Sequence, residues 1–166
     1  MKKLISLLII MLLLVGCTNN DKDNERYNDN KKEEKEPISS TGIQFDSDKV
    51  GNYEVTMTLF HSNSCGHCHD LKLWLNTIKD SYPYLKIEMY EASENYDLYT
   101  KVKTKFNLEE GVPLVIIGND HILGYATSLQ SEFIDYIKKN STYETCNVVD
   151  AIKNNKDVDA CMKKNK

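Results

Sequence analysis

The chain has 166 residues, a formal net charge of -4 and 28% charged side chains. That length suits one domain with appendages, and a hydrophobic content of 40% is enough for one modest core. No basic stripe of the kind that follows phosphates is present, which argues against nucleic acid as a partner.

Residues 1–16 have the plan of a secretory signal. Lys2 and Lys3 give a positive start, Leu4 to Val15 is apolar apart from Ser6, and Gly16 is small. A run of about a dozen apolar residues falls short of the roughly 20 that a membrane-spanning helix needs. Its end, Leu14-Val15-Gly16-Cys17, resembles a bacterial lipobox. The resemblance implies cleavage before Cys17, a diacylglycerol thioether on its sulfur, and a place on the outer face of the cell membrane. From Thr18 to Pro37 only Tyr27 is a large apolar side chain. Such a segment buries too little surface to offset its ordering entropy, so residues 17–42 read as a lipidated cysteine and a solvated linker.

Ile43 and Phe45 alternate with polar residues, which is compatible with a short edge strand within residues 38–50. Glu54 to His61 is a stronger strand, because Val55, Met57, Leu59 and Phe60 become continuously apolar at its end. Cys65-Gly66-His67-Cys68 follows at once, and then a helix to about Ser81. Cys68, Leu71, Trp74, Leu75, Ile78 and Tyr82 share one face of that helix. Ser64 is its expected N-cap, and Cys65 sits one turn before the buried stripe. His61, His69 and His121 read as solvent-facing polar residues. Leu85 to Ala92 alternates as a second strand, and Asn95 to Phe106 reads as a helix with Leu98, Val102 and Phe106 four apart. Val112 to Ile117 is the most apolar run of the domain. Gly118-Asn119-Asp120 turns it back into His121 to Tyr125, and Leu129 to Asn140 closes the domain as an amphipathic helix. The order is β-α-β-α-β-β-α, which implies parallel strands with right-handed crossovers, a closing hairpin, and helices on both faces of the sheet.

These features together resemble the thioredoxin-like superfamily. Cys65-Gly66-His67-Cys68 follows the first core strand and opens a helix, Val112-Pro113 opens the next-to-last strand, and Gly124 lies in the last one. The resemblance runs from Glu54 to Asn140. It implies an α/β fold with a small mixed sheet, a thioredoxin-like domain over residues 43–140, and a thiol–disulfide oxidoreductase that needs no cofactor. It also implies a cis peptide bond before Pro113, with Val112 offering its backbone to a bound partner. The Gly66-His67 pair between the cysteines is that of protein disulfide isomerases. The sequence departs from thioredoxin at Ser64, where thioredoxin has Trp, and at Leu73, where it has a helix-kinking Pro. Leu59 replaces thioredoxin's buried Asp, and Glu88 is a conceivable substitute for that carboxylate.

The chemistry follows from position. The nucleophile in exchange is a thiolate, and a cysteine at a helix N-terminus in a C-x-x-C motif is acidified by unpaired amides and the helix dipole. Cys65 has that position and is expected to attack or be attacked. Cys68 resolves the mixed disulfide, and His67 adds an imidazole that favours the thiolate. Partners would be protein thiols or disulfides outside the cytoplasm, a membrane or extracytoplasmic redox protein, and the bilayer through Cys17. Two other readings remain. Cys65, Cys68 and a nearby His could hold zinc or copper, although no second pair completes a tetrahedral set. The chain could also be a non-catalytic surface interaction lipoprotein.

Residues 141–166 form a C-terminal extension with a short helix near Tyr143 to Asn154. It carries Cys146 and Cys161, which outside the cytoplasm would pair as a structural disulfide or serve as a second redox pair.

Overall fold

A computed structural model of the chain describes residues 40–163. The expected signal segment, Cys17 and the linker up to residue 39 lie outside the described residues. The regular elements are β1 (Val55–His61), α1 (Gly66–Ile78), β2 (Leu85–Glu91), α2 (Tyr96–Lys105), β3 (Leu114–Ile117), β4 (Asp120–Leu123), α3 (Gln130–Asn140), α4 (Val148–Lys153) and α5 (Val158–Lys163).

The strands form one mixed sheet in the order β2-β1-β3-β4. β1 runs parallel to β2, a pairing that needs the crossover α1 supplies. β3 lies on the other side of β1 and antiparallel to it. The β2-α2-β3 unit therefore does not make a second parallel pair, contrary to the simple reading of its element order. β3 and β4 form the expected hairpin. Gly118 makes the turn at φ +57, where a Cβ would come within 2.2 Å of Asn140 Oδ1, so both backbone and space require glycine.

Period-two alternation sends side chains to two cores. On one face Val55, Met57 and Leu59 of β1 and Val115 and Ile117 of β3 pack under α1 and α3, against Leu71, Leu75, Phe133 and Ile137. On the other face Phe60, Leu114 and Ile116 pack against Tyr99 and Val102 of α2 and Val149 of α4. β1 and β3 are buried on both faces, which is why β3 and the end of β1 read as apolar runs rather than clean alternation.

Three local expectations are corrected. Residues 40–50 form no strand; the only regular piece there is a 3-10 turn, Ser47–Lys49, capped by the Asp46 carboxylate. Its approach is set instead by Asp135 of α3, which is buried and accepts from Thr41 Oγ1 at 2.7 Å, from Thr41 N at 3.3 Å and from Ser40 Oγ at 3.2 Å. Gly124 lies just beyond β4 rather than within it, at φ +88. The C-terminal extension holds two short helices, and the helix that begins at Val148 starts later than Tyr143 because Asn147 caps it, accepting from Asp150 N at 2.9 Å. Residues 148–163 pack into the domain, Val149 against the second core and Val148 and Ala151 into a small cluster with Cys146 and Cys161.

Candidate functional site

Cys65 and Cys68 are joined by a disulfide, with their Cα atoms 5.2 Å apart. Cys65 is the N-cap of α1 in extended conformation, φ -93 and ψ 114, and its Sγ accepts from Cys68 N at 3.1 Å. Ser64 is not the cap. Its N–H goes back to Ser62 Oγ at 3.3 Å, and its hydroxyl lies 3.1 Å from the Ser62 hydroxyl. The turn of residues 62–65 thus delays the helix by one residue and puts a sulfur where an oxygen was expected. That is the place where unpaired amides most favour a thiolate.

Exposure separates the two sulfurs. Cys65 is half-buried, whereas Cys68 is fully buried and heads the stripe of Leu71 and Leu75. Gly66 and His67, between them, are both exposed. A Cβ on Gly66 would meet nothing, so the fold does not require glycine there. His69 is exposed, as expected, while His121 is half-buried in β4 with its ring 5.1 Å from that of Phe106.

The Val112–Pro113 bond is cis. The Val112 carbonyl oxygen lies 3.6 Å from Cys65 Sγ, so the turn before β3 faces the dithiol. Pro113, buried, has its carbonyl held by Gly124 N at 2.7 Å. The two positions that carried the sequence resemblance are therefore hydrogen-bonded to each other. A second clamp lies upstream: Tyr99 Oη donates to Gly111 O at 3.0 Å and accepts from Gly111 N at 2.9 Å. Gly124, just past β4, and Tyr99 of α2 thus fix both sides of the turn, leaving Val112 backbone presented beside Cys65. A cleft of about 320 Å³ opens next to it, lined by Ser62, Ala92, Tyr96, Tyr99 and Val112 and rimmed by Glu110.

Glu88 does not replace the missing carboxylate. β1–β2 register pairs it with Thr58, on the face away from α1, and it makes an ion pair with Lys86 at 2.8 Å. The ionisable groups beneath α1 are others. His61 continues the inward series of Val55, Met57 and Leu59 and is only 8% exposed, contrary to its reading as a solvent-facing residue. Its register partner Glu91 shares that face, with Oε2 3.2 Å from His61 Nδ1. Lys72 of α1 brings Nζ to 3.0 Å from the same nitrogen. Burial, then the Lys72 charge, hold the His61 imidazole below its ordinary range, against the opposing pull of Glu91 and Glu94. The signal was present in the sequence as an uninterrupted odd-numbered series through His61, and another from Leu85 through Glu91.

Cys146 and Cys161 form a second disulfide, with Cα atoms 5.4 Å apart. Cys146 is buried, so that bridge lies inside the small C-terminal cluster. Among the described residues no group of three or more His, Cys, Asp or Glu side chains is placed to hold a metal ion, and no helix is long and apolar enough to cross a membrane.

No protein-family model matches the sequence, and no curated protein matches it. Among solved structures, thioredoxin O2 from Arabidopsis thaliana in its oxidized state is 15% identical, with a TM-score of 0.41, covering 56% of this chain and 83% of its own. Oxidised thioredoxin from Plasmodium falciparum is 17% identical, with a TM-score of 0.41, covering 53% of this chain and 85% of its own. Mitochondrial thioredoxin 3 from Saccharomyces cerevisiae, also oxidized, is 17% identical, with a TM-score of 0.39 over 54% of this chain and 85% of its own. The thioredoxin-like α/β fold stands on the chain's own features: the mixed sheet ordered β2-β1-β3-β4, helices on both faces, and a C-x-x-C pair at the start of α1 facing a cis-proline.

Proposed function

We propose that the chain is a thiol–disulfide oxidoreductase that exchanges disulfides with proteins outside the cytoplasm, held at the outer face of the bacterial cell membrane by a lipid on Cys17. One observation carries the exchange reading. A half-buried Cys65 caps α1 with its Sγ 3.6 Å from the backbone of Val112, while its disulfide partner Cys68 is fully buried. A partner can reach one sulfur only, and the other is held back for resolution.

In the reductive direction, Cys65 thiolate attacks a partner disulfide, forms a mixed disulfide and expels one partner thiolate. Cys68 thiolate then attacks Cys65 Sγ, releasing the second partner sulfur. The partner gains two electrons and two protons, and the chain loses them in closing Cys65–Cys68. The oxidative direction is the reverse. Val112 backbone would align the partner strand beside Cys65, and exposed His67 would favour the thiolate and so the reduced form. Cys146–Cys161, with Cys146 buried and Cys161 half-buried in the C-terminal cluster, serves as a structural bridge in this reading. The placement outside the cytoplasm rests on the lipobox-like Leu14-Val15-Gly16-Cys17 and the polar linker that follows.

The test is trapping. Cys68→Ser should accumulate mixed disulfides with extracytoplasmic proteins through Cys65, and Cys65→Ser should accumulate none. Direction is read from the potential: a value near -120 mV marks an oxidant and one near -270 mV a reductant. Stoichiometric zinc or copper that shields both thiols from alkylation would favour the metal reading instead.

A further inference from the structure

The cluster of His61, Lys72 and Glu91 has no part in the exchange cycle above, yet it lies under the same helix as the resolving cysteine. Lys72 is four residues after Cys68 in α1, so the two side chains are neighbours on one helix face, with Cβ atoms about 5–6 Å apart. A lysine there could extend to water. Instead its Nζ turns to His61 Nδ1 at 3.0 Å, beneath the helix. Glu91 Oε2 lies 3.2 Å from the same nitrogen. Nδ1 carries either a lone pair or a proton, so it serves one partner at a time. With Lys72 donating, Glu91 Oε2 is buried without a hydrogen-bond donor, and its charge balances the ammonium through space.

We propose that Lys72 is a positioning residue for the resolving step, its ammonium held inward by neutral His61 and by Glu91 so that it stabilises the Cys68 thiolate. The proposal rests on the exchange reading. In that step the Cys68 thiol gives its proton to solvent and its thiolate bonds to Cys65 Sγ. The Cys65–partner bond breaks, and the partner sulfur leaves with the electron pair and takes a proton from solvent. Nothing in β1 meets this need by the route of a buried carboxylate, since its buried residues are Val55, Met57, Thr58, Leu59, Phe60 and His61. A cation one turn away meets it by charge attraction.

The arrangement is sensitive to acid. The groups that face His61 are Lys72 from α1, Glu91 from β2 and Glu94 from the turn after it, and β3 contributes no titratable residue. When His61 takes a proton, Nδ1 becomes a donor to Glu91, and the imidazolium repels Lys72. The ammonium then leaves its place below the helix. Because burial and Lys72 hold the imidazole below its usual value, this release occurs on the acid side of pH 6.5.

The test uses the full chain with Cys17→Ser and Cys65→Ser, in which Cys68 is the one cysteine left outside the Cys146–Cys161 bridge, and its titration is followed by thiolate absorbance. Lys72→Met should raise the Cys68 titration by about one unit, and Lys72→Arg should restore most of it. In the otherwise unaltered dithiol protein, Lys72→Met should slow resolution of a preformed Cys65 mixed disulfide about threefold at neutral pH. The thiolate fraction falls about tenfold, and the more basic thiolate recovers about 0.4–0.5 of that log unit through its greater nucleophilicity, which leaves about threefold. The gap should close as pH drops well below 6.5. A Cys68 titration unmoved by Lys72→Met in a folded protein would overturn the proposal, as would a rate gap that is constant with pH. Both results are readable even if no protein partner exchanges with Cys65, so they are separable from failure of the exchange reading itself.

Discussion

A sulfur, not an oxygen, caps α1, and that single substitution of atoms links local structure to chemistry. Cys65 Sγ takes the Cys68 amide as an N-cap oxygen would. Reduced, the same atom would sit at the positive end of the helix, so in the proposed exchange the group that orders the helix start is also the nucleophile. Gly66 is not demanded by packing, because a Cβ there meets only open space. Gly66→Ala should therefore leave stability within about 0.5 kcal/mol of the parent, a result that denaturant midpoints would check. Gly118 is the opposite case. At φ +57, with Asn140 Oδ1 within 2.2 Å of a would-be Cβ, Gly118→Ala should cost at least about 1–3 kcal/mol, seen as a lower midpoint with unchanged slope. Asn140 cannot easily yield, since its amide is held by Asp120 Oδ2 at 2.7 Å and by the Tyr136 carbonyl at 2.9 Å.

At the level of elements, α4 and α5 have six residues each, too short to hold themselves in water. Cys146–Cys161 ties the segment just before α4 to the middle of α5 across a separation of 15 residues. Lys105 of α2 also pairs with Asp159 of α5. Replacing both cysteines with Ala should lower unfolding free energy by about 3 kcal/mol in the chain-entropy account, with hydrogen-exchange protection lost first in residues 148–163. An equal loss of protection throughout the sheet would contradict the view of this bridge as local. The elements themselves were legible where one physical signal dominated. β1, α1, β2, α2, the β3–β4 hairpin and α3 all follow from periodicity and turn residues. The start of α1 was misread because Ser64 looked like a cap, and only the turn of residues 62–65 shows its amide bonded backwards. Residues 40–50 were misread because Ile43 and Phe45 alternate, while what holds that segment is Asp135, far away in sequence. β3 reads as a strand from its composition, but its antiparallel place beside β1 is a tertiary outcome that no local pattern encodes.

The whole molecule sets two limits on pH. His61 has a depressed folded value, so the unfolded chain binds more protons on the acid side. Its contribution is fully present above about pH 6.5 and is lost as pH falls through the folded value. His61→Gln should flatten that part of the stability profile. Tyr143 acts in the alkaline range: burial, with Asp120 adding, pushes its phenol up to about 12. Its contribution is present below about pH 10 and lost as pH rises towards 12, a loss that Tyr143→Phe should abolish. The site as a whole was partly legible. Cys65, Cys68, Pro113 and Gly124 stand in the sequence as a recognisable set, whereas the inward turn of His61 and Glu91 depends on strand register. The larger claim is that one disulfide works and the other holds the fold. Equilibrating the full chain across a range of dithiol buffers, then alkylating and assigning each cysteine pair by mass, tests it most directly. Cys65–Cys68 should open as a two-electron couple between about -270 and -120 mV, with Cys146–Cys161 still closed; a Cys65–Cys68 potential below about -300 mV, or both bridges opening together, would contradict it.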